Sequence, residues 1–153
     1  MKIGLINDNR KLNLKIKDIH IVLIDKDISD KFDVLIFNKP MNFIAKNLLA
    51  MQNKKTFVLV NSDEYKSFGA FKNIFLITYG INNKSCITVS SIQQNKIQLC
   101  IQRNLTALNG KVIEEQEFSI EIENADKFID EAMFLVTANI LIFGNTNNLY
   151  KWF

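Results

Sequence analysis

The chain has little of what usually marks an active site. It holds one histidine, two cysteines, one proline, one tryptophan and five glycines in 153 residues. With His20 alone, no histidine-based metal cluster can form, and a Ser-His-Asp triad would have to run through that residue. His20 lies in the apolar run Ile19, Ile21, Val22, where a structural role is expected. Cys86 and Cys100 match no metal or redox spacing. Both sit in apolar runs, so each is expected to be an inert thiol in a reducing compartment. Gly4, Gly69, Gly80, Gly110 and Gly144 are too dispersed to form G-x-x-x-x-G-K-[ST] or G-x-G-x-x-G. The sequence therefore lacks the usual backbone cradle for a triphosphate. No metal and no cofactor is expected.

Long apolar runs are missing too. None approaches the roughly 20 residues of a membrane span. The first residues, Met1-Lys-Ile-Gly-Leu-Ile6, turn polar at Asn7-Asp-Asn-Arg10, without the apolar centre or small-residue cleavage site of a signal peptide. A cytoplasmic protein with no membrane contact is expected. The net charge is only +3, with Lys11, Lys15, Lys17, Lys26, Lys31, Lys54 and Lys55 scattered among acids. No basic block forms, so nucleic acid is not an expected partner. Few prolines and glycines leave little room for a linker, and the length suits a single domain with a real core.

What is present is an ordered series of short apolar runs. Ile19–Ile24 and Asp33–Phe37 read as strands, the second stopped by Asn38-Lys39-Pro40. From Met41 to Met51, Ile44, Leu48, Leu49 and Met51 recur at helical spacing. Thr56–Val60 is a strand again. This strand–helix–strand unit makes Asp33–Phe37 and Thr56–Val60 parallel. Phe75–Thr78 is a further strand. Ser85–Ile92 and Lys96–Thr106 follow, then Lys111–Ile122, with Asn109-Gly110 predicting a type I′ hairpin turn. Ile97, Leu99 and Ile101 alternate with Gln98, Cys100 and Gln102. Phe118, Ile120 and Ile122 alternate with Ser119, Glu121 and Glu123, as in an antiparallel sheet with one polar face. A final helix is expected, capped by Asn124 or Asp126 and ended by Gly144. Its apolar stripe runs through Phe128, Ile129, Ala132, Met133, Leu135, Val136 and Ile140. The fold class is α/β: one domain with a mixed sheet, a βαβ part over about 1–80, an antiparallel meander and helix over about 81–144, and an aromatic tail at 145–153.

Polar residues concentrate where Thr56–Val60 ends, at Asn61-Ser-Asp-Glu64. Open α/β sheets bind ligands at the carboxyl ends of their strands, although Asn, Ser and Asp also end strands simply by bonding local backbone. Asn38 ends the neighbouring strand in the same way. Tyr79 can stack on a ring. The candidate ligand-binding set is Asn38, Asn61, Asp63 and Tyr79, with no catalytic residue. Ser90, Ser91, Gln93 and Gln94 read as strand end and turn. Tyr150, Trp152 and Phe153 crowd the last four residues, either packing onto the core or anchoring a protein partner or a second copy.

Asp33-Val-Leu-Ile-Phe-Asn38, Val60-Asn-Ser-Asp-Glu64, Thr78-Tyr-Gly80 and Ile87–Ile92 occur in the order, and at roughly the spacing, of the second half of the Mur ligase central (ATPase) domain. There a "DVxxxTN" strand, a helix, an "NxDD" strand end, a "TYG" or "TFG" strand and a hairpin region follow the P-loop. Residues 33–122 resemble that half. The resemblance implies that Asn61 matches the asparagine that lies by the adenine of ATP in those enzymes, with Asp63 beside it. The P-loop, the magnesium-holding glutamate and histidine, and the carbamylated-lysine segment have no counterpart, and Asn124–Ile140 replaces the "GxHN" stretch. The expected function is a non-catalytic binding or accessory protein of bacterial cytoplasm, recognising a nucleotide-like or small polar ligand. The alternatives are a small transferase or hydrolase using Asp63 or Glu64 as general base, and a pure protein-interaction scaffold.

Overall fold

The computed structural model describes residues 2–6, 20–23, 31–37, 56–64 and 74–146. The chain divides into two compact units, Met1–Ile77 and Thr78–Phe153, which are taken in turn.

The first unit is built on parallel strands: β1 (Lys2–Ile6), β2 (His20–Leu23), β3 (Val34–Phe37) and β4 (Thr56–Asn61). Their order is β2-β1-β3-β4. Strands β3 and β4 pair in parallel as the sequence predicts, Val34 opposite Phe57 through Phe37 opposite Val60. Val34, Leu35, Ile36, Val58, Leu59 and Val60 are all buried. Consecutive buried residues mean that both faces of this ladder are covered, which is why these strands read as unbroken apolar runs rather than alternating ones.

The amino ends of the strands are stitched together by Asp33. Its Oδ2 accepts from the Lys2 N–H at 2.8 Å, its own N–H donates to the Lys2 carbonyl, and its carbonyl accepts from the Phe57 N–H. Thr56 adds a hydroxyl donor to the Phe32 carbonyl at 3.2 Å. Strand β1 is the one element of this unit that the periodicity does not announce, and it lies centrally, between β2 and β3. The helix expected at Met41–Met51, and Pro40 with it, lies outside the described residues. Strand β5 (Ile74–Tyr79) contains the boundary between the units. On the first unit's side of it, Phe75 stacks on Phe57 with ring centroids 5.2 Å apart.

In the second unit Tyr79 of β5 bridges Ile87 of β6 (Ile87–Gln93) in parallel. From there the pairing is antiparallel: β6 with β7 (Lys96–Ile101), and β7 with β10 (Gln116–Glu121). The sheet is therefore mixed, as expected. Ile97, Leu99, Ile101 and Ile120 are buried while Ser119 and Glu121 are exposed, so the alternation read from the sequence is real.

Two expected long strands are broken. Lys96–Thr106 stops at Ile101 and resumes as β8 (Leu105–Thr106), which pairs only with β9 (Val112–Ile113) in a separate two-stranded ribbon. The excursion is closed at its neck, where Asn104 Oδ1 accepts from the Glu115 N–H at 3.2 Å. The turn in this ribbon is not type I′. Only Gly110 has positive φ, at 81°, and its N–H donates to the Ala107 carbonyl. That is a one-turn loop completed by a left-handed glycine, the three-residue alternative to the two-residue hairpin.

The helix α1 (Ile129–Phe143) ends as predicted, at Gly144 with φ 66°. Its start differs. Asn124 is left-handed and opens a short 3-10 turn (Ala125–Lys127) without a side-chain cap, and Phe128 occupies the N-cap of α1. Neither Asn124 nor Asp126 caps the helix. Nor is there a stripe: every residue from Ala132 to Ile142 is buried, while Phe128 is 47% exposed. A helix buried all round belongs to an interior rather than a surface layer. Its polar groups are satisfied locally, Thr137 donating to the Met133 carbonyl at 2.6 Å and Asn139 Nδ2 to the Asn145 carbonyl at 3.3 Å.

Candidate functional site

The parallel registers align the carboxyl ends of three strands. Ile6 lies opposite Phe37, and Phe37 opposite Val60. The residue that follows each in the sequence is asparagine: Asn7, Asn38 and Asn61. Asn7 and Asn38 lie outside the described residues. Asn38 was expected here; Asn7 was missed because β1 was not read as a strand, although its apolar run was visible. The order β2-β1-β3 also places the reversal of strand order at β1, and crevices at such reversals are where open parallel sheets take ligands.

Asn61 is only 6% exposed. Its Oδ1 accepts the Asp63 N–H at 3.0 Å, an Asx turn that sends the chain off the end of β4. A backbone N–H can only donate, so this bond fixes which end of the amide is oxygen. Ser62 is half-buried, and Asp63 and Glu64 are exposed on the turn. A general base has to sit within hydrogen-bond reach of a bound substrate, and both carboxylates stand on the exposed turn.

Tyr79 does not join Asn61. It is fully buried in the second unit, its ring tilted 60° against Phe134 at 6.1 Å between centroids, and it is a core side chain. Ser90 and Ser91 donate across the β6–β7 ladder to the Gln98 carbonyl and Gln98 Oε1, and Gln98 Nε2 donates to Glu117 at 2.8 Å. That row is a solvated sheet face with its polar groups paired to one another. His20 lies in β2. Tyr150, Trp152 and Phe153 lie outside the described residues.

Both cysteines are free thiols. Cys86 is buried and accepts from the Thr78 hydroxyl at 3.5 Å. The Cys100 thiol is pushed above its ordinary range by burial first, and then by the Glu117 and Glu115 carboxylates. The thiolate is the reacting form. At pH 8, Cys100 is therefore expected to label with a disulfide reagent several-fold more slowly in the folded protein than in the urea-unfolded chain. Glu117→Gln should raise the folded-state rate. Site-resolved mass spectrometry checks this, and equal rates in the folded and unfolded protein would count against it.

Among the described residues no group of three or more His, Cys, Asp or Glu side chains is placed to hold a metal ion, and no helix is long and apolar enough to cross a membrane. No family model matches this chain, and neither a curated protein nor a solved structure matches it.

Proposed function

We propose that this chain is a non-catalytic binding or accessory module, related to the Mur ligase central domain, that holds a nucleotide-like or small polar ligand at the carboxyl ends of its parallel strands. The observation that carries the reading is Asn61: a buried polar side chain at the end of a parallel strand, its Oδ1 held by the turn that leaves that strand. A polar side chain fixed in place at the carboxyl end of a parallel strand is a pre-oriented contact for a polar ligand. The aligned ends of β1, β3 and β4 supply the platform. In this reading the protein works in bacterial cytoplasm, and its aromatic C-terminus meets a protein partner or a second copy. Hydrolase or transferase chemistry at Asp63 or Glu64 is disfavoured by their exposure.

The test is thermal unfolding against ATP, ADP, UDP and UDP-sugars, each with and without magnesium. A ligand at about 100 times its dissociation constant adds roughly 2.7 kcal/mol. At this length each kcal/mol moves the midpoint by about 2–4 °C or somewhat more, so a rise of several degrees is expected, and Asn61→Ala should abolish it. No shift with any of these compounds, or a shift that survives Asn61→Ala, would overturn the proposal.

A further inference from the structure

Independently of the strand-end site, we infer that the outer edge of β10 takes up an extended segment of a protein partner by strand addition, one with Lys or Arg at alternate positions and apolar residues between them. Strand β10 ends the sheet, paired on one side with β7 and, among the described residues, with nothing on the other. The ladder fixes which of its backbone groups are open. The Ile122 N–H donates inward to the Asn95 carbonyl, while the Gln102 N–H donates to Cys86, on the opposite side of β7. Hydrogen-bonded pairs alternate along an antiparallel ladder. Gln116, Phe118 and Ile120 therefore bond to β7, and Glu117, Ser119 and Glu121 turn their N–H and C=O groups outwards. An unbroken edge of this kind, without proline or bulge, is a template for another strand.

The open backbone makes the site, and the side chains set which strand it takes. Glu115, Glu117, Ser119, Glu121 and Glu123 are all exposed, and alternate side chains of a strand share one face. Their field reaches Cys100 on β7, whose thiol is pushed up by burial first and then by Glu117 and Glu115. A second copy is a poor occupant. Open groups fall on odd-numbered residues, so antiparallel self-pairing sets odd against odd, and every register centred between residues 117 and 121 puts a glutamate opposite a glutamate. Like charges directly opposite are destabilising. A basic strand reverses that sign, and its apolar residues extend the inward face of Phe118 and Ile120.

The probe is a synthetic peptide of alternating Lys and Val. Its controls are the Glu-Val counterpart and the same Lys-Val peptide N-methylated at alternate residues, which cannot pair. The full chain is expected to bind the Lys-Val peptide about tenfold more tightly than either control, with affinity falling as salt is raised, read by isothermal titration. Binding should slow hydrogen exchange at the Glu117, Ser119 and Glu121 amides, which a purely electrostatic contact would not do. Ser119→Pro is tolerated by the fold, because that N–H faces away from the ladder, and should abolish binding. Glu117→Lys with Glu121→Lys should turn the preference towards the Glu-Val peptide, and carries the test should the proline variant not fold. Equal binding of the Lys and Glu peptides, binding without amide protection, or an unchanged preference in the charge-reversed variant would overturn the inference. Binding of neither peptide would overturn it too. Dimers of a Glu117→Gln, Glu121→Gln variant would then assign the carboxylates to keeping this edge from a second copy.

Discussion

Phe134→Ala is expected to cost about 3–5 kcal/mol of unfolding free energy. Phe134 is completely buried, third in a run of eleven buried helix residues, with its ring against that of Tyr79. Removing the ring takes away its transfer free energy and leaves a cavity whose walls belong to a helix enclosed on all sides, so little collapse can fill it. The tilted ring pair adds a smaller loss of about 0.5–1.5 kcal/mol within that range. Domains of this kind are stable by about 5–15 kcal/mol in total, so the variant should populate unfolded chain measurably. Urea titration of wild type, Phe134→Leu and Phe134→Ala checks it. The order of midpoints should follow the volume retained, and a change below about 1 kcal/mol for the alanine would mean that the residue is not packed as described.

Gly144→Ala comes next, at about 1–3 kcal/mol. Two costs combine. The residue stops α1 in the left-handed region, φ 66°, with its N–H on the Ile140 carbonyl, a conformation in which only glycine avoids a Cβ penalty. A Cβ there would also stand 3.0 Å from Asn109 Oδ1, 3.1 Å from its Nδ2 and 3.2 Å from the Lys111 Cβ. Asn109 cannot swing aside freely, because its Nδ2 donates to the Phe143 carbonyl and its Oδ1 accepts from the Lys111 N–H. The two costs separate in a double-mutant cycle with Asn109→Gly. The crowding against Asn109 should vanish in that background, while the backbone component and the contact with the Lys111 Cβ should persist. Full additivity would show that the contact contributes nothing.

These two residues also show how far the sequence could be read. Gly144 was legible as the end of the helix, because glycine after an apolar helical run is a local signal. Its second role, as the only residue small enough beside Asn109, was not, because residues 109 and 144 meet only in the fold. Asn109-Gly110 was legible as a turn, yet the turn type was misread. A type I′ turn needs positive φ at both central residues, and in the folded chain the Asn109 side chain is occupied in tying the ribbon to the end of α1. The helix stripe was misread for a related reason. Apolar spacing reports which residues can be buried, and it leaves out Thr137 and Asn139, which are interior with bonds to the Met133 and Asn145 carbonyls.

At the candidate site the same division holds. Asn38, Asn61 and Asp63 were named from the habit of parallel strands to deliver polar residues at their carboxyl ends, and Asn61 is placed there. Tyr79 was named with them and lies in the core, since a tyrosine at a strand end looks the same in sequence whether its ring points out or in.

By itself, then, the sequence determined the class of fold, the parallel β3–β4 pair, the alternating faces of the later sheet, the helix end at Gly144 and the absence of a phosphate loop. Each of these depends on periodicity or on the backbone preferences of a few adjacent residues. Only the tertiary structure decided that β1 lies between β2 and β3, that Ile6, Phe37 and Val60 share one register, that α1 is enclosed, and that Tyr79 lies in the core against Phe134. Those outcomes depend on hydrogen bonds and packing between residues far apart in the chain, and no local pattern encodes which partner each will find.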